Sequence, residues 1–239
     1  MEKKLLILGA SSEVGVDFIS KNHQFYASIV AHYNNLNEDL IALKGILGEK
    51  IILIHADFLD INSVESFVDR LKNFEINHIL HLSSTKVKNN KFHKMDWSVF
   101  QQSYDVQVRS VFFILQECLV KMSKSNYGKV VFLLSSVTNN EPPKYWSDYV
   151  TNKYALLGLM KALAQEYAVK KININAVSPS MMETKFLENI PDLIIEQNAA
   201  NAKLGRNAKT SDVVSMIQFL LSNEADYITG QNFIISGGN

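Results

Sequence analysis

Short apolar runs alternate with longer amphipathic segments along this chain, and that alternation limits the folds open to it. The apolar runs are rich in β-branched residues and end at turn-forming residues, as buried strands do. They are Leu5–Leu8, Ser28–Ala31, Ile51–His55, His78–Leu82, Val130–Leu134, Ile172–Val177 and Asn232–Ile235. The segments with helical periodicity are Glu13–Lys21, Asn37–Leu47, Ile61–Lys72, Asp96–Ser123, Asp148–Val169 and Thr210–Ser222. The alternation predicts an α/β fold in which helices cover both faces of a parallel sheet.

The chain is expected to form one domain. No repeat, low-complexity run or linker rich in Pro, Gly or Ser divides its 239 residues, so we expect a single domain over residues 1–239. Asp60 and Asp212 stand at the start of helical segments, where acidic side chains cap or stabilise the first turn.

Composition excludes several classes of function. Lys and Arg total 24, as do Asp and Glu, so no charge surplus points to nucleic acid. No apolar run approaches the length of a membrane span. The one cysteine, Cys118, rules out an intramolecular disulfide and fits a reducing compartment. We therefore expect a cytoplasmic protein with neither a nucleic-acid nor a membrane partner and with no metal site.

A tyrosine and a lysine four residues apart point most directly to chemistry. Tyr149 and Lys153 share one face of a helical segment. A fixed positive charge favours the tyrosinate, and a phenol tuned in this way can exchange a proton with an oxygen undergoing hydride transfer. Ser136, 13 residues before Tyr149, could hold the same oxygen. A Tyr-x-x-x-Lys pair also arises by chance in helices, so the interpretation depends on the motifs around it.

The glycine-containing loop after the first strand suits a phosphate. In a sheet of this kind the pyrophosphate of a dinucleotide binds where the first strand meets the first helix. Gly9 permits the tight turn, Ser11 and Ser12 can offer donors to phosphate, and Gly15 lets the helix approach the sheet. An ordinary strand–helix turn is the alternative.

Two further positions bear on the nucleotide. Asp57 ends the third strand, where its carboxylate could accept the amino group of an adenine while Phe58 flanks the ring. A solvated strand-end aspartate is the alternative. The stretch Val30–Asn35 contains no acid for the ribose hydroxyls, which favours NADP over strict use of NAD. No Arg or Lys stands there for a 2′-phosphate, so NAD stays open.

These motifs, in this order, resemble the short-chain dehydrogenase/reductase family over essentially the whole chain, from Leu5 to Gly238. The loop Gly9–Gly15, Asp57, Ser136, Tyr149 and Lys153 match motifs of that family. Further matches are Asn175–Thr184, near the nicotinamide, and a C-terminal signature at Leu204–Arg206, Tyr227–Gln231 and Ser236–Gly238.

The resemblance implies a Rossmann-type, doubly wound sheet of seven parallel strands and an NAD(P)-dependent oxidoreductase. Tyr149 would be the general acid/base, Lys153 would bind the nicotinamide ribose and lower the tyrosine pKa, and Ser136 would orient the substrate. Thr184, with backbone near Met182, would hold the carboxamide. The substrate would be a carbonyl or alcohol, for example a 3-oxoacyl thioester, and the chain would form a homodimer or homotetramer through its long helices.

Four departures from the family pattern stand out. Glu13 replaces the middle glycine of the cofactor loop, and a carboxylate there repels a pyrophosphate unless it points to solvent or binds a cation. His81-Leu82-Ser83-Ser84 replaces Asn-Asn-Ala-Gly but keeps small residues, including Ser83, where backbone must approach the cofactor. Gln107 replaces the asparagine of the proton relay, and Pro179-Ser180 replaces Pro-Gly. These changes leave Ser136, Tyr149 and Lys153 intact, so we expect an active enzyme.

Two segments are expected to line the substrate pocket, residues 137–146 and residues 185–203. Tyr145 and Trp146 could stack on a substrate or could simply pack. The segment 185–203, termed the lid segment below, has the apolar pattern of an amphipathic cover. Two other functions stay open, a non-catalytic dinucleotide-binding regulator on this fold and a sugar-nucleotide epimerase or dehydratase. The latter usually requires a larger C-terminal substrate domain.

Overall fold

The sheet has seven parallel strands in the order β3-β2-β1-β4-β5-β6-β7, as the alternation predicted. A computed structural model describes residues 2–238. The strands are β1 (Lys4–Leu8), β2 (Ser28–Tyr33), β3 (Ile51–His55), β4 (His78–His81), β5 (Gly128–Leu133), β6 (Ile172–Pro179) and β7 (Asn232–Ile235). The prediction of an α/β fold with a doubly wound parallel sheet in a single domain is confirmed.

Eight α-helices are present among the described residues. They are α1 (Glu13–Asn22), α2 (Glu38–Leu47), α3 (Ile61–Leu71), α4 (Trp97–Tyr104), α5 (Ser110–Ser125), α6 (Ser147–Tyr167), α7 (Asp192–Asn201) and α8 (Thr210–Leu220). Asp60 caps α3 by accepting from Asn62 N, and Asp212 accepts from Lys209 N at the start of α8, so both predicted acids act at helix starts. The helix expected over Asp96–Ser123 is interrupted by a π-helical turn, Asp105–Arg109, between α4 and α5.

Each face of the sheet buries its own core. One core contains side chains of α1, α2 and α8, and the other contains side chains of α3, α5 and α6. Because both faces are covered, the central strands carry almost continuous apolar runs, and four of the five residues of β1 are fully buried. Cys118 is a buried thiol in the second core, and burial raises its pKa to about 12.

The strand order reverses direction between β1 and β4, which creates a crevice at the carboxyl ends of these strands. A third apolar cluster lies beside that edge and contains Val87, Val137, Trp146, Tyr149, Leu187 and Ile190. It brings the ends of β4 and β5, the start of α6 and the lid segment together. No helix within residues 2–238 is long and apolar enough to cross a bilayer.

Candidate active site

Tyr149 and Lys153 lie side by side on the buried face of α6. The Lys153 ammonium is 5.4 Å from the centre of the Tyr149 ring, and its Nζ donates to the carbonyl of Leu133 at the end of β5 at 3.1 Å. Tyr149 is 7% exposed and Lys153 is 4% exposed. The four-residue spacing therefore brings a phenol and an amine into one desolvated site.

Burial controls the protonation of both groups. It raises the pKa of Tyr149 to about 12, and the hydrogen bond between the side chains of Ser135 and Tyr149 opposes only part of that rise. It lowers the pKa of Lys153 to about 7. Desolvation dominates both shifts, because it disfavours the charged form of each group, and the lowering of the tyrosine pKa by Lys153 stays a prediction.

The serine that hydrogen-bonds the phenol is Ser135, one residue before the predicted Ser136. Ser135 follows β5 and caps the single helical turn Ser136–Thr138, with its Oγ accepting from Val137 N at 3.5 Å. The carbonyl of Ser136 accepts from Asn139 and Asn140, which holds the start of the following loop. Spacing alone could not distinguish two adjacent hydroxyls, since the path of the chain as it leaves the strand decides which one faces Tyr149.

Gln107 belongs to a buried polar network and lies in the π-helical turn. Its Oε1 accepts from Ser84 Oγ at 3.1 Å, and its Nε2 donates to Ser103 Oγ at 3.0 Å. Asn152, between Tyr149 and Lys153 on α6, donates to the same Ser103 hydroxyl at 2.9 Å, and Thr85 also contacts it. Ser103 and Asn152 were not predicted from the sequence, and Ser84 was predicted only as a small residue near the cofactor. The signal for Asn152 was a polar residue on the buried face of an otherwise apolar helix.

The predicted glycine loop follows β1 and opens α1. Gly9 has a φ of 84°, and a Cβ there would lie 3.1 Å from Ser83 N. At Gly15 a Cβ would lie 2.6 Å from the Ala10 carbonyl oxygen, so both glycines are required by the backbone.

The serines of this loop have different roles. Ser12 donates to the Gly9 carbonyl through both its hydroxyl, at 2.8 Å, and its backbone N–H, at 3.1 Å. In this conformation Ser12 therefore holds the turn, and its contact with a phosphate stays a prediction. The carbonyl of Ser11 accepts from the side chain of Asn37, the cap of α2, which fixes the loop against the start of that helix.

The nucleotide end of the crevice is braced by a histidine. His32, on β2, accepts from Gly9 N through Nδ1 at 3.0 Å and contacts the Ala56 carbonyl through Nε2 at 3.0 Å. The Phe58 ring stacks on His32 with centroids 3.9 Å apart and is 3% exposed. The ring is therefore held in the core in this structure, and its contact with an adenine stays a prediction. One oxygen of Asp57 accepts from Leu59 N at 2.9 Å, so this carboxylate also shapes its own turn.

The remaining predicted cofactor residues are Ser83, Met182 and Thr184. The Ser83 hydroxyl is buried and has no hydrogen-bond partner among residues 2–238. Thr184 N donates to the Met182 carbonyl at 2.9 Å, and Met182 pairs with Ala208 in an isolated bridge. An orphaned hydroxyl, two glycines that admit no side chain and the amino end of α1 together suit a dinucleotide. No cluster of His, Cys, Asp or Glu that could hold a metal ion occurs in the described part of the chain.

The aromatic residues before Tyr149 differ in role. Trp146 is 8% exposed, donates to Asn89 Oδ1 at 2.7 Å and packs edge-on against Tyr149, so the packing alternative holds for it. Tyr145 is half-exposed and has a φ of 70°. From the lid segment, the Phe186 ring lies 5.9 Å from the Tyr149 ring, so an apolar wall surrounds the phenol.

Comparison with known proteins finds matches over nearly the whole chain. A family model described as "Enoyl-(Acyl carrier protein) reductase" matches residues 9–239. Nodulation protein G of Rhizobium sp. (strain N33) is 27% identical over 237 residues, which cover 99% of this chain and 96% of that protein. The 3-oxoacyl-[acyl-carrier-protein] reductase FabG of Rickettsia bellii (strain RML369-C) is 25% identical, with coverage of 98% and 95%.

The fold is also found among solved structures. The crystal structure of levodione reductase superposes on this chain with a TM-score of 0.89 at 24% identity. The match covers 99% of this chain and 96% of the levodione reductase chain. At that identity the likeness concerns the fold alone.

Proposed function

The chain belongs to the short-chain dehydrogenase/reductase family of oxidoreductases, and we propose that it transfers hydride reversibly between NAD(P)H and a carbonyl or alcohol substrate. The observation that carries this proposal is the buried pair of Tyr149 and Lys153 at the carboxyl edge of the sheet, beside a crevice suited to a dinucleotide. A phenol with a raised pKa stays protonated at neutral pH and can therefore act as a proton donor.

The dinucleotide supplies or accepts the hydride when it is bound. In the reductive direction Tyr149 gives its hydroxyl proton to the substrate oxygen, and in the oxidative direction it takes that proton back. Lys153 is held by the Leu133 carbonyl within reach of the phenol, so its charge, when present, favours the tyrosinate that remains. Ser136 orients the substrate oxygen, and Ser135 holds the phenol.

We propose the remaining cofactor contacts on the same grounds. Gly9, Ser11 and Gly15 form the phosphate turn, Asp57 contacts the adenine, and Ser83, Met182 and Thr184 line the nicotinamide side. NADP is favoured over NAD because the stretch Val30–Asn35 contains no acid for the ribose hydroxyls. Gln107 acts through Ser84 and Ser103 rather than by touching the substrate itself.

The proposed substrate is a ketone, with a 3-oxoacyl thioester as the first choice. The apolar wall formed by Val137, Trp146, Phe186 and Leu187 around Tyr149 suits an uncharged carbonyl group. The FabG relative is named for reduction of a 3-oxoacyl group on acyl carrier protein. We further propose that the chain acts in the cytoplasm.

The test is replacement of the catalytic hydroxyl. Tyr149→Phe is expected to lower kcat by at least about a thousandfold, because the proton donor is removed, while NADPH binding changes little. Tyr154→Phe is the matched control, since Tyr154 lies on the same helix with its side chain half-exposed. Turnover is measured with NADPH and a panel of ketones and 3-oxoacyl thioesters, and binding is measured by fluorescence titration.

Two further variants separate the serines. Ser136→Ala is expected to lower kcat with dinucleotide affinity unchanged, whereas Ser135→Ala is expected to alter the pH dependence of kcat by removing the hydrogen bond to Tyr149. Equal activity of Tyr149→Phe and the unmodified protein would rule out the mechanism. Dinucleotide binding without turnover of any carbonyl would instead favour the non-catalytic regulator.

A further inference from the structure

Glu13 makes a contact that joins the two sides of the cofactor crevice. Its Oε2 accepts a hydrogen bond from the backbone N–H of Lys185 at 2.8 Å, although the two residues are 172 positions apart. Glu13 opens α1 at the phosphate turn, and Lys185 opens the lid segment with the single helical turn Lys185–Leu187. The glycine that the family pattern has at position 13 could not make this contact.

The Lys185 N–H needs a partner from elsewhere in the chain. The first N–H groups of any helical turn have no acceptor within the turn. Thr184, the residue at the cap position, makes no capping hydrogen bond with its side chain. Glu13 therefore supplies from α1 the acceptor that a local cap normally provides, and its negative charge strengthens the bond.

The capped turn is in contact with the catalytic tyrosine. Leu187 is buried in the apolar cluster with Tyr149, and the Phe186 ring lies 5.9 Å from the Tyr149 ring. The turn thus lies between the phosphate turn on one side and the phenol on the other. A change in the position of this turn would therefore alter the surroundings of both the phosphate turn and the phenol.

We propose that Glu13 is a positioning residue whose carboxylate clasps the turn Lys185–Leu187 to the amino end of α1 and holds the lid segment over the cofactor crevice. Because the carboxylate is directed at the Lys185 amide, its charge is partly neutralised there rather than left facing a pyrophosphate. The effect on cofactor affinity rests on the proposed function, whereas the clasp itself is a property of the chain without cofactor.

Amide hydrogen exchange at Lys185, in the protein without dinucleotide, tests the clasp directly. Glu13→Ala is expected to speed exchange of this amide by about fivefold or more, because an exposed hydrogen bond to a charged acceptor is lost. Glu13→Gln keeps an acceptor oxygen and is expected to stay within about twofold of the unmodified protein. Asp17→Asn is the matched control, since it removes the same charge from α1 at a carboxylate that pairs with Lys21 instead.

Dinucleotide affinity gives an independent readout. Lys185→Pro removes the donor N–H at a position where proline fits the start of a helical turn, and Lys185→Ala removes the same charge but keeps the N–H. Glu13→Ala and Lys185→Pro are expected to weaken NADPH binding by about fivefold, without further loss when combined, while Glu13→Gln and Lys185→Ala bind nearly as the unmodified protein does.

Two results would overturn the clasp. One is exchange at Lys185 that does not respond to Glu13→Ala. The other is tighter NADPH binding by both Glu13→Ala and Glu13→Gln, which would make the carboxylate a repulsive charge. If the exchange pattern appears as expected but no variant binds a dinucleotide, the clasp is supported and the proposed cofactor is wrong.

Discussion

Three buried histidines are kept neutral by their surroundings. Burial lowers the pKa of His32 to about 4, and it lowers the pKa of His78 and of His81 to about 3. His32 must be neutral, since its Nδ1 accepts from Gly9 N. His81 is fully buried next to Phe132, and neither of its ring nitrogens has a hydrogen-bond partner among the described residues. The family pattern has asparagine at that position.

We expect these histidines to make the protein sensitive to acid. Their pKa values in the folded state lie below the usual 6.5, so the unfolded chain binds protons first as the pH falls. Their contribution is therefore fully present above about pH 6.5 and is lost as the pH falls toward 3. Each contributes a slope of about 1.4 kcal/mol per pH unit within that window.

His81→Asn isolates the contribution of His81 to this pH dependence of stability. The free energy of unfolding in urea, measured between pH 6.5 and 4.5, is expected to fall less steeply in this variant, by about 1.4 kcal/mol per pH unit. Comparison of slopes removes the constant cost of the smaller side chain. His93→Asn changes an exposed histidine and serves as the control. Identical slopes in His81→Asn and the unmodified protein would contradict the expectation.

At the scale of elements, glycines in two helices have opposite roles. Gly15 lies in α1 against the Ala10 backbone, where the lack of a side chain lets the helix approach the loop. Gly45 lies in α2 with an exposed surface, and a Cβ added there would meet no atom within 4 Å. The first glycine is required by packing, and the second only weakens its helix.

Gly45→Ala is expected to raise the free energy of unfolding by about 1 kcal/mol, because alanine restricts the unfolded chain and favours the helix. Gly15→Ala is expected to lower it by about 1–3 kcal/mol, since the new methyl group must displace backbone. Urea denaturation measures both, and dinucleotide titration should show loss of binding for Gly15→Ala alone. Destabilisation by Gly45→Ala would show that α2 packs more closely than this structure indicates.

The π-helical turn is also an element-scale feature. It inserts an extra residue into the long helix at Gln107, where the side chain reaches Ser84 and Ser103. Such insertions are frequent at functional sites. Arg109, at the end of the turn, donates to the carbonyls of Phe58 and Leu59, so the distortion also ties the helix to the loop after β3.

At the scale of the whole molecule, the long helices expose apolar side chains. On the two long helices, Leu115, Leu156 and Met160 are buried in the core, whereas Phe112 is 46% exposed. Val120 on α5 and Tyr154 on α6 are exposed to a similar extent. This surface is the basis for proposing a homodimer or homotetramer.

Sedimentation velocity tests the proposed assembly. The unmodified protein is expected to sediment as a dimer or tetramer at micromolar concentration, and Phe112→Glu to shift it toward the monomer, because a charge replaces an apolar contact. Ile46→Glu, on exposed α2, makes the same change away from this surface and should leave the mass unchanged. A monomeric unmodified protein would contradict the proposal.

The sequence alone determined the parallel sheet, the crevice at the end of β1 and the pairing of Tyr149 with Lys153. These features follow from local periodicity and from spacing within one helix, and both are properties of short stretches of sequence. The sequence also located Gly9 and Gly15, because a tight turn between a first strand and a helix allows few backbone conformations.

Only the tertiary structure decided which side chains meet across the fold. The bond between Ser84 and Gln107 spans 23 positions, that between Ser103 and Asn152 spans 49, and that between Glu13 and Lys185 spans 172. The stacking of Phe58 on His32 and the contact of Ser135 with Tyr149 are likewise contacts between residues that are distant in sequence. No local pattern encodes such partners, since they are selected when helices and loops from distant parts of the chain pack against one sheet edge.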